Sequence, residues 1–358
     1  MIMHKRFVLF ALVAIFTISC NSQTSDINKL NSCEYASYFN IKRSGDTSII
    51  EVTESWAEEN KKTTEYSFSQ PLRRVVCMST SHLAYIIALG ERESVVGISG
   101  GEYISDSLIR RRVASGEISD IGYEGSLNYE KLISLKPDIV FTYGINGENN
   151  LYIDRLRQYG IKVMVLGDYL EEHPLGKLEY LKLFGELFRC RQKADSLYEA
   201  RRDKYEKIKA KAAEFKVKPL VLLNAPWKEV WYVPGEENYI SVLINDAGGE
   251  VAGARPNESR SYPSNTEQVF KIAMEADFWL NPNSFSTLKE LEDSNPLFKS
   301  IPSLKQNKVF NNNKRKTPGG GSDFWETGVV EPDEILEDLI NILHGDAKPD
   351  SLKYYVKL

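Results

Sequence analysis

Two glutamates in matched surroundings are the residues of this chain best placed to do chemistry. Glu130 stands in Asn128-Tyr129-Glu130-Lys131-Leu132, and Glu267 in Asn265-Thr266-Glu267-Gln268-Val269. Each is followed by an apolar-faced segment, an aspartate (Asp138, Asp277) and a β-rich run, Ile139-Val140-Phe141 or Phe278-Trp279-Leu280. The asparagine suits a helix N-cap, and an acid in the first turn gains about 0.3–1 kcal/mol from the helix dipole. A single copy needs no further explanation. Two copies 137 positions apart point to two similar lobes, each with an exposed carboxylate at the same place. Such carboxylates either meet the arginine forks of a partner or work as acids and bases. Their position on opposite lobes speaks against a catalytic acid pair.

Other reactive residues are sparse. Ser79, Ser81 and His82 sit close together, but no G-x-S-x-G is present. His82, His173 and His344 fall in separate segments without metal-ligand spacing, and there is no C-x-x-C. Gly319-Gly320-Gly321 lacks the Lys-Ser/Thr that completes a phosphate loop, and reads as a mobile lid. The chain is therefore expected to have no catalytic residues, no cofactor and no metal site. A cell-envelope hydrolase is the lesser alternative to a binding protein.

The elements that must position these residues alternate between strand and helix. Residues 36–70 alternate polar and apolar side chains and read as a small β-meander with a turn at Gly45-Asp46. A first lobe, 71–189, opens with the buried strand Arg74–Met78 and continues in β-α order, which implies a mainly parallel sheet. Residues 190–216 form one long helix with a stripe from Ala194 to Phe215 and no Gly or Pro. The pattern then restarts in a second lobe and final helix, 217–358. The fold class is α/β, two Rossmann-like lobes on a single linking helix. Such a helix resists bending, so lobe motion should be small, and the cleft between lobes is the expected ligand site.

The chain opens with His4-Lys5-Arg6, an apolar run from Phe7 to Ile18, and Ser19-Cys20. The run is short for a permanent span and reads as a signal peptide, 1–19. Cleavage would leave Cys20 as a lipidation site on a tether, 20–35, anchoring the protein to a membrane on the periplasmic side of the cell envelope. The remainder would carry 43 basic side chains against 50 acidic ones. That acidic balance argues against nucleic acid as a partner.

Leu127-Asn128-Tyr129-Glu130-Lys131-Leu132-Ile133-Ser134-Leu135-Lys136-Pro137-Asp138-Ile139-Val140 resembles the N-L-E-x-I-x-x-L-K-P-D-L-V signature of ABC-transporter binding proteins for ferric siderophores, haem and vitamin B12. Arg74–Ser79, Gly160–Val163 and Asp246–Gly249 are similar to further landmarks of that family, and Asp323–Glu326 with the amino-terminal strands looks like its Bacteroides-type lipoprotein variant. The resemblance implies a monomer that captures a ferric siderophore, haem or corrinoid and delivers it to an ABC permease in the cytoplasmic membrane. It implies that Glu130 and Glu267 dock on permease arginines. Loops after the strands should line the cleft. Their candidate ligand contacts are Ser79, Ser81, Tyr103, Tyr123, Tyr143, Trp227, Trp231, Tyr262 and Trp325 for stacking and hydrogen bonding, and Arg255, Arg260 and Arg315 for an anionic chelate.

Overall fold

Polar–apolar alternation in residues 39–67 produces three antiparallel strands, β1 (Phe39–Ser44), β2 (Thr47–Glu54) and β3 (Lys62–Ser67), in the order β1-β2-β3. In β2 the inward positions are Ile50, Val52 and Glu54. The computed structural model describes residues 33–44, 47–54, 62–144, 151–345 and 348–358. The expected signal peptide, Cys20, residues 21–32 of the tether, the Gly45-Asp46 turn and Asn146 lie outside the described residues. Residues 33–35, assigned to the tether from sequence, are pinned instead. Glu179 accepts the backbone N–H groups of Glu34, Tyr35 and Ala36 at 2.7–2.9 Å.

The first lobe is a parallel sheet with the order β6-β5-β4-β7-β8. Its strands are β4 (Val75–Cys77), β5 (Val95–Ile98), β6 (Ser119–Asp120), β7 (Ile139–Thr142) and β8 (Val163–Val165). Crossover helices α1 (Thr80–Ala88), α2 (Ser107–Ala114), α3 (Tyr129–Ser134) and α4 (Leu151–Gln158) connect them. The strands β4, β7 and β8 are buried at every position, as a sheet covered on both faces requires. Helix α5 (Pro174–Leu187) then runs through the interior, and α6 (Arg191–Ala212) follows it.

The second lobe contains β9 (Leu220–Leu223), β10 (Val230–Val233), α7 (Tyr239–Asp246), β11 (Glu250–Val251), β12 (Tyr262–Asn265), α8 (Thr266–Ala273), β13 (Phe278–Leu280), α9 (Leu288–Ser294), α10 (Pro302–Lys305), β14 (Val309–Asn311), α11 (Pro332–His344) and β15 (Val356–Lys357). Its main sheet has the order β11-β9-β13-β14-β15, parallel except for β15. Strands β10 and β12 form a separate antiparallel ribbon. Setting aside β6 and β15, the order β5-β4-β7-β8 recurs as β11-β9-β13-β14. The repeat inferred from the two glutamate motifs is a repeat of whole sheets.

The long stripe on α6 buries Ala194, Tyr198, Tyr205 and Ala212, and the helix packs against α5 of the first lobe and α11 of the second. Arg201 reaches Glu331 and Asp333 at 3.0 Å, and Lys204 reaches Asp333 at 3.1 Å. A second connection was not expected. The glycine-rich stretch predicted to be a mobile lid lies on the first lobe, where the Gly319 N–H donates to the Glu102 carbonyl at 2.9 Å. A Cβ at Gly319 would stand 2.5 Å from Glu102 Cγ and 3.0 Å from the Glu102 carbonyl oxygen. Glycine here permits close approach of two backbones, which is a packing role and not a hinge.

Candidate functional site

In each repeated motif the asparagine and aspartate have structural duties. Asn128 caps α3 by accepting from Lys131 N–H at 2.9 Å, and Asn265 caps α8 by accepting from Gln268 N–H at 2.8 Å. Asp138 accepts the N–H groups of Arg73 and Arg74 at the start of β4, and Asp277 accepts Leu220 N–H at the start of β9. The glutamates between them face solvent. Glu130 has no ion-pair partner among the described residues, and the Glu267 side chain is 86 % exposed with only Lys271 at 3.8 Å. Both crossover helices begin at the carboxyl ends of their lobe's strands, the rim on which open α/β sheets hold ligands.

At that rim the chain reverses direction across each sheet between β4 and β7, and between β9 and β13. The loops there are tightly held. Ser79 caps α1, and its Oγ lies 2.8 Å from Ser81 Oγ. Asn224, Asn281 and Asn283 take the left-handed conformation after β9 and β13, and Asn283 Nδ2 donates to Ala225 O at 2.7 Å. The Tyr143 ring lies 6.3 Å from Tyr169, whose hydroxyl donates to Gly144 O.

A cavity of about 550 Å³ opens between the lobes. The first lobe contributes Tyr169, Leu170, Glu171 and Glu172, the second Asn238, Tyr239 and Ser259–Ser261, and the segment leading into β1 contributes Tyr38. Behind Tyr239 stands a buried charged group. Lys177 Nζ lies 4.6 Å above the Tyr239 ring and donates to Asp168 O at 2.9 Å, while Asp168 Oδ1 is 3.2 Å from His82 Nε2. Burial opposes ionisation of Asp168, but His82 and Lys177 outweigh it and hold the carboxyl below its ordinary range. Glu171 goes the other way, pushed up to about 7 by burial despite accepting from Ser37 and Tyr38 N–H.

The residues predicted from sequence are partly gathered. Arg260 lines this cavity, and Trp325 approaches it with its ring 6.2 Å from Tyr239. Tyr103 and Tyr123 pair at 6.2 Å where the Gly319 loop crosses the first lobe. Arg255 covers the Tyr262 ring at 3.5 Å. Trp227 is exposed at the turn leading into β10. Ser79 and Ser81 are occupied in capping α1. Of the twelve candidates only Arg260 is in the cavity lining, and two are committed elsewhere altogether. Trp231 is wholly buried, stacked on Trp279 at 5.7 Å with its Nε1 donating to Leu223 O, so it belongs to the core of the second lobe. Its inward position in β10 is the same one taken by Val233, a period-2 signal legible in the sequence. Arg315 pairs with buried Asp323 at 2.9 Å and lines a different cavity beside α1 and α6 with Arg92 and Arg201. His82 is fully enclosed. Sequence reasoning missed Tyr38, Tyr169 and Tyr239. Tyr169 follows β8 as the other loops follow their strands, and that rule alone identifies it.

Residues 75–315 match the family described as periplasmic binding protein. An uncharacterized lipoprotein of Methanocaldococcus jannaschii is 28 % identical over 303 residues, covering 82 % of this chain and 70 % of that one. A cobalamin-binding protein of Halobacterium salinarum is 27 % identical over 215 residues, 59 % of this chain and 54 % of its own length. Among solved structures, a periplasmic haem-binding protein from Pseudomonas aeruginosa superposes with a TM-score of 0.61 at 18 % identity, covering 80 % of this chain and 97 % of that one.

Proposed function

Because the chain belongs to the periplasmic binding protein family, whose members bind substrates for ABC transporters and are not enzymes, we propose that it captures an iron–siderophore or related chelate between its lobes and delivers it to a permease. The observation that carries this reading is the inter-lobe cavity, walled from both sides and lined by Tyr38, Tyr169, Tyr239 and Arg260 together with the carboxyl groups of Glu171 and Glu172. Phenols and a guanidinium suit an anionic, oxygen-rich chelate. Haem or a corrinoid is the alternative cargo, which the Halobacterium and Pseudomonas relatives bring into view. The Ser19-Cys20 segment and the Methanocaldococcus lipoprotein support a lipid anchor at the cell envelope. Glu130 and Glu267 are the docking groups of this reading, since each is exposed and holds no backbone N–H, whereas the asparagine and aspartate of its motif do.

Intrinsic fluorescence of the purified protein, titrated with a ferric hydroxamate or catecholate, haem and cyanocobalamin, tests the reading. Saturable quenching by one class is expected, with the siderophore chelate binding tightest. Saturation by none of the three sinks it, as does enzymatic turnover of ester, glycoside or phosphate substrates.

A further inference from the structure

We propose that the amino-terminal segment, which lies outside the family match, forms a third wall of the ligand site, and that Tyr38 on it helps decide which oxygen-rich anionic chelate fits. This rests on the inter-lobe cavity being the ligand site. The family match begins at residue 75, yet Tyr38 lines that cavity together with residues of both lobes.

The segment is fixed to the first lobe by hydrogen bonds to buried carboxylates and by ring contacts. Five consecutive backbone N–H groups, from Glu34 to Tyr38, are accepted by only two carboxylates, Glu179 and Glu171. Both acceptors are on or beside α5 and almost wholly enclosed. Tyr35 stacks on His173 at 4.4 Å and Phe39 packs edge-on against Tyr180 at 4.6 Å. Close approach is enforced from below, because a Cβ at Gly167 would lie 2.9 Å from Tyr38 Cβ and one at Gly176 would lie 3.1 Å from Tyr35 O. The far end of the sheet is held separately, by the Tyr66 hydroxyl donating to Val163 O at 2.8 Å. A segment ordered this firmly presents Tyr38 at a defined place before ligand arrives, which lowers the ordering cost of binding.

The chemistry opposite Tyr38 indicates the ligand class. Burial, with the charges of Glu171 and Glu172 after it, raises the Tyr38 phenol above its ordinary value and keeps it a proton donor, while Arg260 of the second lobe pulls the other way. A phenol donor on one wall and a guanidinium on the other select carboxylate, hydroxamate or catecholate oxygens. An apolar macrocycle face has no use for this pair.

The test uses the full chain and two measurements. First, a Tyr38→Cys, Ser261→Cys pair is treated with a short bifunctional maleimide; the cross-link is expected to form, and not in either single variant. Second, Tyr38→Phe, Tyr38→Ala and the distant control Tyr66→Phe are titrated with the three probe classes. Tyr38→Ala should weaken the chelate at least about tenfold, Tyr38→Phe several-fold, and Tyr66→Phe less than about twofold. Cyanocobalamin, which carries no carboxylate, should change least, so that its rank relative to the chelate shifts. Absence of the cross-link overturns the wall whatever binds. A cross-link with unchanged affinities and rank order in the Tyr38 variants overturns its role in selection. If the wild type binds none of the probes while the cross-link forms, the wall stands and the proposed function falls.

Discussion

Asp138 and Glu130 belong to one motif and are both exposed, but they differ in what they hold. The Asp138 carboxylate ties down two backbone N–H groups at the start of β4, whereas Glu130 points into solvent. Asp138→Ala should therefore cost about 1–3 kcal/mol, because it removes two hydrogen bonds to a charged carboxylate. Glu130→Ala should stay within about 1 kcal/mol, the dipole contribution of a first-turn acid. Thermal unfolding reads both. The transport phenotype should reverse the order: Glu130→Ala combined with Glu267→Ala leaves ligand affinity unchanged and abolishes uptake. Normal uptake by that double variant would remove the docking role. Glu326 is a different kind of acid. It accepts Ser105 N–H at 2.7 Å and Asp106 N–H at 3.1 Å across the lobes, yet burial pushes its pKa from 4.5 up to about 7. The folded protein thus holds this proton more tightly than the unfolded chain. Its contribution is full below about pH 4.5 and is lost as pH rises through about 7. Glu326→Gln removes the titration, so its unfolding midpoint should fall less steeply than that of the wild type between about pH 5 and about pH 7. Parallel slopes would show that Glu326 does not titrate there.

Residues 317–326 act as an element even though they form neither a long helix nor a sheet strand. Gly319 meets Glu102, the Gly321 backbone lies against Tyr103, and Glu326 closes the far end on Ser105 and Asp106. Gly319→Val should displace this strap, since the Glu102 carbonyl cannot move aside as a side chain can. The expected cost is about 1–3 kcal/mol, with faster tryptic cleavage at Arg315 and Lys316. Gly125→Val, with open space around it, is the control that should change neither. The strap also shows where sequence reading stops. Periodicity located the sheets, the two caps and the linking helix, because burial imposes repeating patterns on a chain. Three glycines signal only that backbone is unencumbered, and close packing and mobility both use that freedom. Alternation with Val233 marks Trp231 as inward-facing, against its expected place in a cleft loop. Tyr38 was legible as a strand residue only, because its place at the cavity depends on Glu171 and Glu179, more than 130 positions away. Long-range pins of that kind leave no local pattern.

At the scale of the whole molecule, the two lobes are joined in ways that differ in strength. Helix α6 runs unbroken for 22 residues, buried against α5 on one side and α11 on the other. Arg201 and Lys204 tie it to the first turn of α11, where Asp333 is fully enclosed. Removing one partner of such a group leaves a buried charge, so this junction resists opening. The strap adds a second crossing near Tyr103. A hinged closure of the lobes would have to bend the helix or detach the strap, and each costs more than the rearrangement of a few side chains. Ligand capture should thus proceed by local adjustment around the cavity. Small-angle X-ray scattering of the ligand-free and ligand-saturated protein should give radii of gyration that agree within about 1 Å, in the range of preorganised binding sites. The Gly319→Val variant should show a larger difference between the two states, because it keeps the helix and loses the strap. A contraction of several ångströms in the wild type would show that α6 bends, and that the lobes behave as a clamp and not as a fixed cleft.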